Sequence, residues 1–215
     1  MAFSLPNGTT YAVASAYATA ITVTAATNAT ESVLTTAANT FAIGDLLELT
    51  SGWTRANSRV FRAKAVSGTS VTLEGLDTTS TALFPAGAGI GSLRKISTWV
   101  PITQVITCEP SGGDAKFVTV EPMDTDTELN IPAGYSARTL AITIGDDPTL
   151  PHHAALKAIS DGRKIAAVRA QLPSNSIILY NGYITYDETP TLTKGQVMSV
   201  KANMAQQGQP VRYAS

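Results

Sequence analysis

The chain has 215 residues, enough for one large domain or two small ones with a buried core. Charged residues make up only 14% and the net charge is −1, so the sequence lacks the basic stripe needed for stable binding to nucleic-acid phosphates. A single cysteine, Cys108, excludes an intramolecular disulfide, and the N-terminal sequence MAFSLPNGTT predicts neither a signal peptide nor a membrane span.

The first predicted element lies at residues 9–24, TTYAVASAYATAITVT. Tyr11 and Val13 alternate with smaller residues, and Ile21 and Val23 repeat the same period of two. This pattern predicts one long strand or two strands in line.

Residues 26–98 differ in sequence pattern, with short strand candidates separated by glycine-containing turns. The candidates are Asp45–Thr50, Arg59–Val66, Ser70–Leu76 and Ile90–Ile96. Short strands at this spacing are typical of a small β-barrel or sandwich. We therefore predict a main domain formed by residues 1–25 and 99–215, with a small β-domain inserted at residues 26–98.

The main domain resumes with further strand candidates and one long polar segment. The strands are Trp99–Thr107, Lys116–Val120, Arg138–Ile144, Ile165–Leu172, Ser176–Asp187 and Gln196–Gln206. Glu109–Asp114 is predicted to be a turn, and Glu121–Tyr135 a long polar connection or a protruding hairpin. Asn181-Gly182 favours a tight hairpin turn, but its arms would be very short, so one continuous strand with a bulge is preferred.

One helix is predicted, from Leu150 to about Asp161. Thr149 can cap its start, Pro151 is tolerated in the first turn, and Gly162 can end it in a left-handed conformation. The face expected to pack on a sheet consists of His152, Ala155, Leu156 and Ile159.

Histidine and cysteine offer little for catalysis or metal binding. His152 and His153 are adjacent on the predicted helix and point about 100° apart, so they cannot ligate one metal as an i, i+4 pair would. A structural or surface role is favoured for both. Cys108 is expected to be a small buried residue rather than a nucleophile. Without a paired acid and base, we predict no catalytic residue, cofactor or metal ligand, and no enzyme.

Two other patterns are weak matches to binding motifs. The glycine-rich segment 87–91 resembles a dinucleotide loop but lacks the following helix and the βαβ setting. The carboxylate pairs Asp146-Asp147 and Asp124/Asp126 lack the ligand count of a calcium loop. Asp147 is instead expected to help start the helix, where its charge suits the helix dipole.

Several short strings follow one another along nearly the whole chain. They are the strand from Leu5-Pro6-Asn7-Gly8 to Val23, Gly44-Asp45, Leu49-Thr50-Ser51-Gly52-Trp53, Asp146-Asp147-Pro148-Thr149-Leu150-Pro151, Ile178-Leu179-Tyr180-Asn181 and Thr189-Pro190-Thr191-Leu192-Thr193-Lys194. In this order they resemble the tail-tube proteins of siphophages, the long, non-contractile-tailed bacteriophages. None of the strings is a catalytic motif, and the specificity of the resemblance comes from their order.

The resemblance implies a mainly β fold, a β-sandwich or open barrel with one flanking α-helix, plus the inserted small β-domain on the outer surface. It implies hexameric rings that stack into a tube, which surrounds the tape-measure protein and conducts DNA to the host. The partners would be further copies of the chain, the tape-measure protein, the tail terminator and tail-tip or baseplate proteins. Viral DNA would only pass through, and no membrane or cofactor is involved. The expected location is the virion, with assembly in the host cytoplasm.

An acidic segment within the long polar connection is the candidate for a lumen-lining or inter-ring role. Its members are Glu121, Asp124, Asp126 and Glu128. A tube that passes DNA must not bind it, and duplex DNA carries about one charge per ~1.7 Å. The alternative is that these residues belong to an ordinary solvated loop.

Three classes of function compete. Low surface charge favours a subunit whose surface is covered in an assembly, although a merely polar Thr/Ser surface explains it equally well. The alternative function is a β-sandwich adhesion or carbohydrate-binding module, or another tail-tip or decoration protein of the virion. Such a binder should gather exposed aromatics on one set of loops, whereas Trp53 and Trp99 flank the inserted domain. An enzyme is the least favoured class.

Overall fold

The computed structural model of the protein describes residues 5–124 and 126–214. The strands in chain order are β1 (Thr10–Tyr17), β2 (Ile21–Ala26), β3 (Val33–Thr36), β4 (Leu46–Ser51), β5 (Arg59–Ser67), β6 (Ser70–Leu73), β7 (Gly91–Ile102), β8 (Val105–Ser111), β9 (Ala115–Val120), β10 (Leu129–Tyr135), β11 (Thr139–Gly145), β12 (Ile165–Gln171), β13 (Ile177–Thr191), β14 (Ser199–Gln206) and β15 (Val211–Tyr213). The α-helix of the described residues, α1 (Pro151–Asp161), lies between β11 and β12. The predicted mainly β fold with one helix is confirmed.

Six strands close into a small antiparallel barrel in the order β2-β3-β6-β5-β4-β7, with β7 pairing back to β2. Alternating residues point inward, so each strand delivers branched or aromatic side chains to one core. Leu47, Phe61, Leu73 and Leu93 are fully buried there. Trp53 is buried beside them, and its indole N–H donates to the carbonyl of Pro85 at 2.8 Å. Of the two predicted alternatives, barrel or sandwich, the structure has the barrel.

Strand β7 belongs to the barrel and to a second, larger sheet. Its residues 91–95 pair with β2 and β4, and its residues 96–102 pair with β1. The predicted division at residue 98 therefore falls inside a continuous strand. The division into an inserted domain, residues 26–98, and a main domain, residues 1–25 and 99–215, stays a prediction.

The larger sheet has the order β7-β1-β12-β13-β14-β11-β8, and every pairing in it is antiparallel. Short β15 pairs with the start of β13. Helix α1 lies against β13, β7 and β1. The second core consists of Val13, Ile102, Leu140, Ile142, Ile144, Leu156, Ile159, Ala166, Val168, Ile184, Val200, Ala202 and Met204.

A buried polar cluster joins the barrel to the larger sheet. Glu48 of β4 is 4% exposed and accepts a charge-assisted hydrogen bond from Arg94 of β7. Asn181 of β13 donates to the same carboxylate at 3.0 Å and to the carbonyl of Ser58 at 3.1 Å. The Arg94 guanidinium lies 4.1 Å from the ring centroid of Tyr17. Because a buried charge needs both a partner and hydrogen bonds, this cluster fixes how the two parts meet.

The C-terminal segment makes a second connection to the barrel. The Tyr213 hydroxyl accepts from the backbone N–H of Arg62 at 2.9 Å and donates to the carbonyl of Glu74 at 3.1 Å. Val211 and Tyr213 are buried in the barrel core together with Leu179 of β13. The barrel core is thus completed by side chains from the last third of the chain.

Of the two N-terminal alternatives, the structure has two strands, β1 and β2. Of the two alternatives for residues 121–135, it has a hairpin, but the first arm of that hairpin is β9, which precedes the predicted segment. Residues 177–191 form one strand, as preferred, and its register shift against β14 lies at Asp187 rather than at Asn181-Gly182. The predicted strand Trp99–Thr107 is wrong. It is interrupted before β8, where Gln104 adopts a φ of 59°. The predicted turn at Glu109–Asp114 begins later, because β8 runs to Ser111.

The predicted helix from Leu150 to about Asp161 is confirmed by α1, but the predicted capping roles of Thr149 and Gly162 are wrong. The N-cap is Leu150, without a side-chain cap, because the Thr149 hydroxyl donates to Asp147 at 2.6 Å instead. Gly162 stays right-handed with a φ of −74°, and the following residue, Arg163, takes the left-handed conformation with a φ of 47°. The buried face is confirmed for His152, Leu156 and Ile159.

We predict that the Arg94→Met variant is less stable than the wild type by about 3 kcal/mol, because it leaves the Glu48 carboxylate buried without its cation. The matched control is Lys64→Met, which breaks the pair with Glu31 at a Lys64 side chain that is 54% exposed. Its effect should stay below about 1 kcal/mol. Urea unfolding monitored by tryptophan fluorescence measures both. Equal, small losses for the two variants would refute a structural role for the buried pair.

We predict that the protein loses stability as the pH falls below the ordinary His152 pKa of 6.5. Burial of His152 lowers its pKa, the neighbouring His153 lowers it further, and Asp147 raises it. Its Nδ1 atom is buried without a hydrogen-bond partner among the described residues. The unfolded chain therefore takes up this proton at a higher pH than the folded one, and acid favours unfolding.

The His152→Leu variant should remove this contribution and flatten the pH dependence between pH 7.5 and 5, as measured by urea unfolding at each pH. A variant that retains the full slope would show that other groups cause it.

Candidate assembly surface

Strands β9 and β10 form a separate two-stranded sheet that projects from the larger one. Their foot is fixed by Ser136, whose hydroxyl accepts from the N–H groups of Gly113 at 2.9 Å and Asp114 at 3.0 Å. Gly112 and Gly113 have φ values of 78° and 86°, which glycine adopts without strain. Strands of six and seven residues place the tip about 20 Å from the foot.

The hairpin exposes apolar side chains along its length. The exposed residues are Phe117 (58%), Val118 (53%), Leu129 (53%), Ile131 (53%) and Tyr135 (59%). An isolated two-stranded hairpin is marginally stable in water. Val118, Leu129 and Ile131 share one face, and exposed apolar side chains grouped in this way mark a surface for another molecule. The hairpin is therefore a candidate contact surface for a protein partner.

The tip of the hairpin carries the predicted acidic segment. Glu121, Asp124, Asp126 and Glu128 are all exposed in the connection between β9 and β10. Within residues 5–124 and 126–214, none of the four forms an ion pair. Met123 lies among them with its side chain fully exposed. The tip thus combines an apolar side chain with carboxylates that have no cationic partner in the described chain.

One edge of the larger sheet is open. Strand β8 pairs with β11 on one side and ends the sheet. Ile106 on this strand is 53% exposed. A long edge strand offers backbone N–H and C=O groups to a strand of another molecule. At the other end the strand order closes into the barrel, and the further strand paired on one side alone, β15, has only three residues.

A cavity of about 430 Å³ lies between the barrel and the foot of the hairpin. Its lining contains three arginines, Arg55, Arg59 and Arg138, and no carboxylate. Sequence reasoning missed this site, because residues 55 and 59 follow β4 whereas residue 138 precedes β11. Only the tertiary fold brings them together.

The remaining candidates do not converge on a reaction centre. Trp53 is buried in the barrel, and Trp99 lies 5.0 Å from the guanidinium carbon of Arg169. Cys108 is half-buried, and burial raises the pKa of its thiol, which disfavours the reactive thiolate. Across the described residues, no group of three His, Cys, Asp or Glu side chains could hold a metal ion. No described helix has the length and apolar character that crossing a bilayer demands.

The fold is rich in β-structure, with a closed barrel and a larger sheet that packs against one helix. The open edge of that sheet and the exposed apolar hairpin are surfaces for protein contacts. These features are typical of a structural subunit. The family model described as phage tail tube protein, TTP, matches residues 51–215. The chain therefore belongs to the phage tail tube protein family, and is a structural component of a phage tail. A search of the curated proteins finds no match.

Proposed function

We propose that this chain polymerises as stacked hexameric rings into the tail tube of a siphophage, which surrounds the tape-measure protein and conducts DNA to the host. The tail terminator and the tail-tip or baseplate proteins would bind the two ends. The family match supports the tube. The observation that carries self-assembly is the projecting hairpin β9–β10, whose apolar side chains have no cover in the single chain.

Two different surfaces support growth in two directions. The open edge β8 can pair with a strand of a neighbour in the same ring, and the hairpin reaches about 20 Å beyond the sheet toward another copy. Contacts between unlike surfaces close into rings or propagate as filaments. The acidic residues Glu121, Asp124, Asp126 and Glu128 would then face either the neighbouring ring or the lumen.

The barrel is proposed to decorate the outer surface of the tube. It is not a freely removable unit, because it covers Ala167, Leu179 and Val211 of the larger sheet. Deletion of residues 26–98 would expose these side chains and cut β7. A change on the barrel surface that faces away from the larger sheet therefore tests the proposed outer position of the barrel better than deletion of the barrel does.

We predict that wild-type protein forms rings or tubes of uniform diameter with a central channel as its concentration rises, seen by negative-stain electron microscopy. The variant Val118→Asp/Ile131→Asp places charges on a directly opposed apolar pair of the hairpin. It should need a roughly tenfold higher concentration, because the charges must be desolvated in the contact.

The matched control is Thr119→Asp/Asn130→Asp, the adjacent opposed pair, which is already polar. It adds the same charge to the same hairpin, so it should assemble at a concentration closer to that of the wild type. Wild-type protein that stays monomeric at every concentration would contradict the proposed function.

We predict that a short epitope tag inserted between Gly68 and Thr69, in the exposed turn between β5 and β6, leaves tube formation intact. Gly68 has open space around it, so the turn accommodates an insertion. Immunogold labelling should then decorate the outside of the tubes along their whole length. Tubes that form without binding antibody, or a tag that abolishes assembly, would refute the outward position of the barrel.

A further inference from the structure

The arginine-lined cavity is a pocket with one apolar side and one polar side. Leu83 and Phe84 from the barrel and Tyr135 from the hairpin foot supply its apolar surface. The polar side comes from the segment 206–209 and from the guanidinium groups of the three arginines. With about 430 Å³, it has room for several side chains of a protein segment.

The arginines of this pocket have no carboxylate partner among the described residues. Arg59 donates to the carbonyls of Gln209 at 3.1 Å and Arg55 at 3.3 Å, and its guanidinium carbon lies 4.9 Å from the ring centroid of Phe61. None of the three arginines forms an ion pair with any described residue. A guanidinium stays charged in proteins and binds carboxylates through paired N–H groups. The pocket is therefore suited to a segment that carries carboxylates and an apolar side chain.

The same chain contains such a segment at the tip of its hairpin. Met123 is fully exposed there, and Glu121, Asp124, Asp126 and Glu128 surround it. Methionine is flexible and fills irregular apolar pockets. The carboxylates can reach arginines at the rim while the thioether contacts the aromatic wall.

The tip cannot reach the pocket of its own chain. The pocket includes Tyr135 and Ser136 at the hairpin foot, and the extended strands hold the tip about 20 Å away. The occupant must come from another copy. Each copy then offers one tip and one pocket, which is a head-to-tail contact that closes into a ring or propagates as a filament.

We propose that the acidic hairpin tip of one copy binds the arginine pocket between the barrel and the hairpin foot of the next copy. This inference rests on the proposed function, since it names the contact that would join copies in the tube. It also assigns the barrel a part in assembly, because Arg55 lies between β4 and β5 and Arg59 is the first residue of β5.

Cross-linking tests the contact independently of tube formation. In a Cys108→Ser background, one protein carries Asp124→Cys and a differently tagged one carries Arg138→Cys. A short bis-maleimide should join them into a heterodimer, whereas Lys194→Cys in place of Arg138→Cys should give far less product. Equal yields from Arg138→Cys and Lys194→Cys would overturn the proposal, whether or not the wild type forms tubes.

A charge exchange gives the second measurement. The pocket variant Arg55→Glu/Arg138→Glu and the tip variant Asp124→Lys/Asp126→Lys should each raise the concentration needed for assembly by roughly tenfold or more. Combining all four substitutions in one chain should restore assembly, because the reversed tip then meets a reversed pocket. Arg163→Glu/Lys194→Glu is the control for the change in net charge of the pocket variant, and the thermal unfolding midpoint checks that each variant folds.

The outcomes separate the two claims. Wild-type tubes with unaffected pocket and tip variants would refute this contact and leave the proposed function standing. A wild type that never forms tubes would refute the proposed function, and the heterodimer yield would still decide the contact. Loss of assembly in both variants without recovery in the combined variant would also count against direct pairing.

Discussion

One strand, β7, holds the architecture together, because half of it completes a closed barrel and the other half pairs with β1 in the larger sheet. A continuous strand cannot pivot freely at its middle while both halves keep their ladder hydrogen bonds. The buried Glu48–Arg94–Asn181 cluster and the Tyr213 hydroxyl then fix the angle between the two parts. The arginine pocket exists only because that angle is fixed, since its walls come from both sides.

The hairpin β9–β10, unlike β7, takes no part in holding the barrel and the larger sheet together. It contributes nothing to either buried core, and its apolar side chains stay in water in the single chain. Exposed apolar area is unfavourable by about 25 cal/mol per Å² relative to burial, so a fold that keeps it must recover that free energy elsewhere. The proposed contact with further copies of the chain would bury this apolar area.

Period-two alternation predicted several of the strands, because the two faces of β11 and β14 differ in burial. In β1 three consecutive residues are buried, so burial there does not follow the alternation. Among the strands without a strand candidate, β3 and β15 have four and three residues, too few to display a period, whereas β10 lies in the segment predicted to be a connection or a hairpin. Thr149 has the right chemistry for a cap but is bonded to Asp147, a choice that depends on local geometry and not on residue type. The acidic tip could be found from sequence because its residues are contiguous, whereas the arginine pocket joins residues from separate parts of the chain.

Hydrogen–deuterium exchange of residues 115–135, followed from dilute to concentrated protein, tests most directly whether the hairpin is the assembly surface. Rapid exchange is expected in dilute protein, where only the β9–β10 ladder protects the amides. Strong protection is expected at concentrations that give tubes, while the barrel amides of β4 and β5 change little. Tubes in which the hairpin still exchanges as rapidly as in the monomer would contradict the central claim.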